Sequence, residues 1–242
     1  LRETLSTIDV VIELIDARLG EASRNPVLDT LLGDKMRVLV LTKMDLADPK
    51  ETGKWVSSLQ KTSAHVMAIN TLSSRDIKRL LTRLTTLITP LQEKASFKMV
   101  QGLVVGIPNV GKSALLNALS KRRLAEVANR PAVTKRLQWI PINPHFRVMD
   151  SPGILWPKFD TQDIGFKLAV SGAIRDPILE KVDIALWLID YLKGAYLTLL
   201  SKRYKVEDWP ETAEESLTLL GQKRGCIRGG GDVDLEKAAH CL

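Results

Sequence analysis

Residues Gly106-Ile107-Pro108-Asn109-Val110-Gly111-Lys112-Ser113 match G-x-x-x-x-G-K-[ST] at every position. An apolar run, Leu103-Val104-Val105, leads in, and a helix-like run, Ala114 to Leu119, leads out. That context dictates a strand that passes through a glycine-bearing loop straight into a helix. Backbone N–H groups of Asn109, Val110, Gly111, Lys112, Ser113 and Ala114, together with the helix N-terminus, then converge on phosphate oxygens. Lys112 can reach the terminal phosphates and the Ser113 hydroxyl can ligate Mg²⁺. The loop's position is unusual, because residues 1–105 precede it.

Those preceding residues alternate between strand and helix patterns. Apolar, β-branched runs at 10–15, 37–41 and 65–69 read as buried strands. Helices are expected from Pro49 to Lys61 and over the apolar repeat Ile77, Leu80, Leu84, Ile88, with Pro90 closing the second and a linker at 90–98. Leu137–Ile142 and Phe146–Met149 read as a strand pair, and from about residue 164 the pattern is helical. The fold class is therefore α/β: a mostly parallel sheet with helices on both faces over 1–178, then a small helical domain over 179–242.

Thr42-Lys43-Met44-Asp45 closes the second strand. A carboxylate at Asp45 can accept hydrogen bonds from N1–H and the exocyclic amine of guanine, a donor pair that adenine lacks. The Lys43 stem can lie along the base. Asp150-Ser151-Pro152-Gly153 closes a later strand. There Asp150 can hold Mg²⁺ through water and the Gly153 N–H can meet a γ-phosphate, so a loop gripping that phosphate would relax after its loss. Thr134, between the two phosphate motifs, is a second candidate hydroxyl ligand for Mg²⁺.

Taken together, the P-loop, T-K-x-D and D-x-P-G resemble the translation-factor-related GTPases, with the guanine motif moved ahead of the P-loop. This is similar to the circularly permuted ribosome biogenesis GTPase A family, as are Asp16-Ala17-Arg18, Arg203-Tyr204 and Lys223-Arg224-Gly225-Cys226. The resemblance covers essentially the whole chain. It implies a permuted G domain and a helical C-terminal domain that contacts RNA. It also implies GTP hydrolysis with GTP/GDP and Mg²⁺ as ligands, and a cytoplasmic role in assembling the large ribosomal subunit from its precursor on rRNA. It further implies that Asn70-Thr71 stands in for the S-A guanine loop, that Thr42 replaces an Asn, and that Ala132 replaces a Gly.

Ile154 follows D-x-P-G where a water-orienting Gln stands in Ras-like enzymes. Intrinsic hydrolysis is expected to be slow. Lys112, Gly153 and Asn109 are the candidate catalytic groups, Asn109 through a K⁺ ion as in related GTPases. An Asn there also suits a loop backbone with unusual φ. A GTPase of tRNA modification or translation, a P-loop kinase, and an interaction module with an inactive site are the competing readings. Asp45 speaks against the kinase, and intact Lys112, Ser113 and Asp150 against the inactive module.

Charge refines the partner. Net charge is +7, and residues 112–147 carry 8 Lys/Arg against Glu126 alone, whereas 179–242 are net −2. Lys121-Arg122-Arg123, Lys135-Arg136, Lys223-Arg224 and Arg228 are the candidate RNA-facing clusters. Cys226 and Cys241 form neither a zinc pattern nor a disulfide framework. No uninterrupted apolar run reaches membrane-span length, so no membrane partner is expected. A start at Leu1 rather than Met suggests a fragment.

Overall fold

The computed structural model describes residues 5–63, 65–94, 99–120, 138–153, 155, 159, 161–174 and 180–242. It forms two compact units, Leu1–Asp160 and Thr161–Leu242. The first is built on a six-stranded sheet with strands β1 (Val10–Asp16), β2 (Met36–Thr42), β3 (Val66–Ala68), β4 (Val100–Gly106), β5 (Gln138–Asn143) and β6 (Phe146–Asp150). Their order is β3-β2-β1-β4-β6-β5. All neighbours are parallel except the β5–β6 hairpin.

β1 and β4 sit mid-sheet and read as continuous apolar runs because both faces are covered. Helices α1 (Pro26–Leu32) and α2 (Pro49–Leu59) bury Leu28, Leu32 and Leu59 against Val11, Ile15, Leu39 and Leu41 on one face. Ile12, Leu14, Val40 and Val104, on the other, are equally buried, and α3 (Ser74–Lys94) and α4 (Lys112–Ser120) pack against β4. Local signals start the first two helices. The side chains of Asn25 and Asp48 accept hydrogen bonds from Val27 N–H and Lys50 N–H, each followed by a proline at the first helical position.

Glu13 is an exception to the apolar reading of β1. It is buried and meets Arg24 and Arg37, which also share Asp29. Burial still raises the Glu13 pKa, against the opposing pull of both arginines.

Pro90 does not close α3, which runs on to Lys94 and shortens the expected 90–98 linker. Pro90 is solvent-exposed and lies one turn from the helix end, so only one hydrogen bond of a 21-residue helix is lost.

The second unit contains α5 (Gln162–Val170), α6 (Lys181–Tyr204), α7 (Ala213–Lys223) and α8 (Leu235–Cys241). α5 packs on α6 through Phe166 and Trp187, whose rings lie 5.6 Å apart. Thr212 and Asp234 cap α7 and α8. α6 is long and apolar enough to cross a membrane by length and composition, with a mean hydropathy of 1.3. Asp190 and Lys193 interrupt its sequence, which is why no apolar run stands out. Its Ala185, Ile189, Leu200 and Tyr204 form a core with Leu217, Leu220 and Ala238. Cys226 and Cys241 are both free thiols, yet the fold brings their sulfurs to 3.7 Å.

Candidate active site

The phosphate side is built where β4 gives way to α4. A Cβ on Gly106 would lie 2.9 Å from the Leu14 carbonyl oxygen, so glycine lets the strand exit close to β1. Asn109 takes φ +58, in the left-handed region that Asn tolerates better than most residues. That conformation suits an Asn at this position.

Lys112, at the start of α4, is 7% exposed. Its Nζ donates to the carbonyls of Gly106 (3.3 Å) and Ile107 (3.1 Å). Burial lowers its pKa to about 8, against the opposing charge of Asp150. Ser113 follows on the first turn, half-buried. Asp150 and Ser151 are buried at the end of β6, where Ser151 Oγ donates to Val104 O at 2.7 Å. The D-x-P-G turn closes directly on the P-loop: a Cβ on Gly153 would sit 2.8 Å from Pro108 Cα and 3.1 Å from Lys112 Nζ.

The base side comes from the N-terminal half and grips the same loop. Thr42 is fully buried, and its hydroxyl donates to Val110 O at 2.6 Å. Lys43, at φ +57, donates through Nζ to Asn109 O (2.6 Å) and Asp16 Oδ2 (3.0 Å). Arg18 clamps Asp16 with two bonds, Nε to Oδ1 at 2.9 Å and Nη2 to Oδ2 at 2.7 Å. Burial would raise the Asp16 pKa, but the hydrogen bonds and charges of Arg18 and Lys43 outweigh it and hold the carboxyl below its usual range. Burial also lowers the Lys43 pKa, with Asp16 pulling the other way.

Asp45 is exposed on the 3₁₀ turn Met44–Leu46. The Met44 N–H donates to Ile69 O (3.4 Å), which draws this turn to the end of β3 and so to Asn70-Thr71. Asn70 shapes its own turn: its Oδ1 accepts from Leu72 N–H at 2.8 Å, and its N–H donates to Asp76 Oδ2 at 3.0 Å.

Thus Thr42, Lys43, Asn109, Val110, Lys112 and Gly153 are brought together, with Asp45 beside Asn70. Thr134, Ala132, Ile154 and the 121–123 and 135–136 clusters lie outside the described residues. Asp16 and Arg18 carried no chemical role in the sequence. The available signal was a carboxylate ending an apolar strand two residues before an arginine.

A buried ammonium facing backbone carbonyls, at a helix N-terminus, suits the terminal phosphates of a nucleotide. Ser113 and Asp150 supply the hard oxygen donors that Mg²⁺ prefers.

The comparisons agree with this geometry. A family model described as 50S ribosome-binding GTPase matches residues 101–223, starting at the strand that feeds the P-loop. The guanine half lies before the matched stretch, as a permuted order requires. Ribosome biogenesis GTPase A of Priestia megaterium is 37% identical over 99% of this chain and 85% of its own length. The chain belongs to the ribosome biogenesis GTPase A family. Mouse mitochondrial ribosome-associated GTPase 1 is 35% identical over 78% of this chain and 61% of its own. The GDP-bound structure of TM YlqF superposes with a TM-score of 0.68 at 25% identity, over 99% of this chain and 90% of the other. GNP-bound YlqF from T. maritima shares the fold, with a TM-score of 0.64 over 98% and 87% of the two chains at 24% identity. The protein is a circularly permuted GTPase that binds GTP and GDP and hydrolyses GTP.

With Lys112 on the phosphates, its depressed pKa predicts a pH dependence of nucleotide binding. A bound phosphate raises that pKa again, so nucleotide binding takes up a proton once Lys112 begins to lose its own. Affinity is expected to be full well below pH 8 and to decline as pH rises through the value of about 8. The Kd for GDP is expected to weaken about fourfold between pH 6.5 and 8.5. Fluorescence titration at constant ionic strength measures it, and a flat profile contradicts the assignment of the proton to Lys112.

Proposed function

We propose that this GTPase is a nucleotide-switched assembly factor that acts on the precursor of the large ribosomal subunit, in the cytoplasm, and contacts rRNA. The observation that carries the reading is the brace between the halves: Thr42 and Lys43 hold the carbonyls of Val110 and Asn109. The T-K-x-D turn is thereby tied directly to the P-loop backbone, which supports coupling between base and phosphate binding. The names of the relatives, ribosome biogenesis GTPase A among them, supply the ribosomal partner.

In this reading Asp45 accepts from the guanine edge, the Lys43 stem lies along the base, and the backbone at Asn70-Thr71 meets the other side. The P-loop backbone from Asn109 to Ala114 and Lys112 hold the phosphates. Ser113 and Asp150 hold Mg²⁺, with Thr134 joining on sequence position alone. The metal would spread the negative charge of the terminal phosphates. The Gly153 N–H senses the γ-phosphate, and its loss after hydrolysis frees a turn that leads in sequence toward the C-terminal unit. Asn109 assists through a K⁺ ion, a role checked by comparing rates in K⁺ and Na⁺.

The deciding experiment is GTP turnover with and without purified large-subunit particles, alongside co-sedimentation in a non-hydrolysable GTP analogue. Wild-type protein is expected to co-sediment and to be accelerated at least tenfold. Equal turnover with small-subunit particles, or none with either, would sink the large-subunit assignment.

A further inference from the structure

The basic residues picked out in the C-terminal unit each make a contact within the fold, although all three stay exposed. Lys223 Nζ donates to Lys205 O at 2.8 Å, Arg224 stacks 5.3 Å from the Tyr204 ring centroid, and Arg228 lies 3.5 Å from Asp234. A different cationic surface stands open in the GTPase unit. On α3, Arg75, Lys78, Arg79 and Arg83 fall at i, i+3, i+4 and i+8, one face of the helix, opposite the buried Ile77, Leu80, Leu84 and Ile88. This face borders β3, the terminal strand of the sheet, and together they line a groove of about 910 Å³ with Val66 and Met67 along its wall.

No Asp or Glu lines that groove. Among the described residues no carboxylate is in ion-pair range of Arg75, Lys78 or Arg83, and all three side chains are exposed, Arg83 with His65 Nδ1 at 3.5 Å. Arg79 alone has an acidic neighbour, Asp76 at 3.4 Å, which is itself held by the Asn70 N–H. From Arg75 to Arg83 the helix rises about 12 Å, enough to meet more than one phosphate of a strand.

We propose that the groove between α3 and β3 is an RNA-binding surface that holds the sugar–phosphate backbone of an rRNA strand. The proposal rests on the ribosomal reading above and gives it a location. Four long cations, of which only Arg79 has an acidic neighbour, set along a concave strip, match a polyanion rather than a compact anion. The open edge of β3 adds backbone groups that can hydrogen-bond riboses. Asp76 connects the strip to the Asn70 turn, so the RNA would lie next to the base-reading loop.

The test uses the full chain and a fluorescein-labelled 16-nucleotide RNA, with binding followed by anisotropy across a KCl series. Lys78→Ala/Arg83→Ala is compared with Lys50→Ala/Lys54→Ala, which removes the same charge from α2. The groove variant is expected to bind about tenfold more weakly, with its log–log salt slope reduced by about 1.4 for two lost phosphate contacts. The α2 variant is expected to behave as wild type, and basal GTP turnover and GDP affinity to stay unchanged in both. Equal weakening by both variants would mean that only net charge matters and overturns the site. Wild-type binding that the groove variant retains in full overturns the site but leaves the ribosomal reading standing. Failure of the wild type to bind RNA or subunit particles removes both. Stronger competition by poly-glutamate than by unlabelled RNA would identify an acidic protein partner and likewise overturn the proposal.

Discussion

Lys112→Ala is expected to lower GTP and GDP affinity by two to three orders of magnitude and to abolish measurable turnover. Removing one partner of a buried, hydrogen-bonded charge pair costs about 2–5 kcal/mol, and the ammonium here sits 3.1–3.3 Å from P-loop carbonyls with no other task. Stability is expected to move the other way. In the nucleotide-free protein this ammonium is 7% exposed and burial has already lowered its pKa to about 8, so its charge is held at a cost. Lys112→Met, which keeps the stem and removes the charge, should leave the nucleotide-free Tm equal or higher while binding is lost. Calorimetry with and without GDP separates the two effects. A variant that loses both nucleotide and stability would mean that Lys112 holds the loop together rather than the phosphates.

Asp45→Asn is expected to reverse base preference rather than simply weaken binding. Asp45 is exposed at the tip of its turn, while Thr42 and Lys43 below it do the bracing, so the substitution leaves the frame intact. A carboxylate accepts two bonds from guanine. An amide offers one donor and one acceptor, which clashes with the guanine donor pair and suits xanthine. Each charge-assisted bond contributes about 1.5–3 kcal/mol, so GTP affinity should fall roughly a hundredfold while affinity for xanthosine triphosphate rises. Competition between the two nucleotides against a fluorescent analogue measures the ratio. Retention of GTP preference would place base reading elsewhere, most directly on the Asn70-Thr71 turn.

Much of this site was readable from local patterns. The P-loop depends on eight consecutive residues whose backbone conformation makes the binding surface, and the sheet follows from apolar runs of strand length separated by helical periods. Motifs of this kind need no distant partner to be recognised. The partnerships were another matter. Thr42 was visible as a departure from Asn, but the bond that explains it crosses 68 positions to Val110. The link from Lys43 to Asn109 crosses 66, and that to Asp16 crosses 27. Asp16 and Arg18 looked like a strand end and proved to be the anchor of the guanine-motif lysine. Pro90 misled for the opposite reason: a local rule about helix termination yielded because a proline one turn from the end costs a long helix only one hydrogen bond.

The sequence by itself determined the GTPase class: a P-loop, a T-K-x-D motif placed ahead of it, and a D-x-P-G turn after it. It did so because each depends on residue type at short spacing. Only the tertiary structure decided which side chains remain free to act. It showed Lys43 committed to Asp16 and the P-loop, Arg224 stacked on Tyr204, two distant thiols in contact, and the cations of α3 left open beside the sheet edge. Whether a charge is spent inside the fold or presented to a partner depends on what packs around it, and that is a property of contacts between residues far apart in the chain.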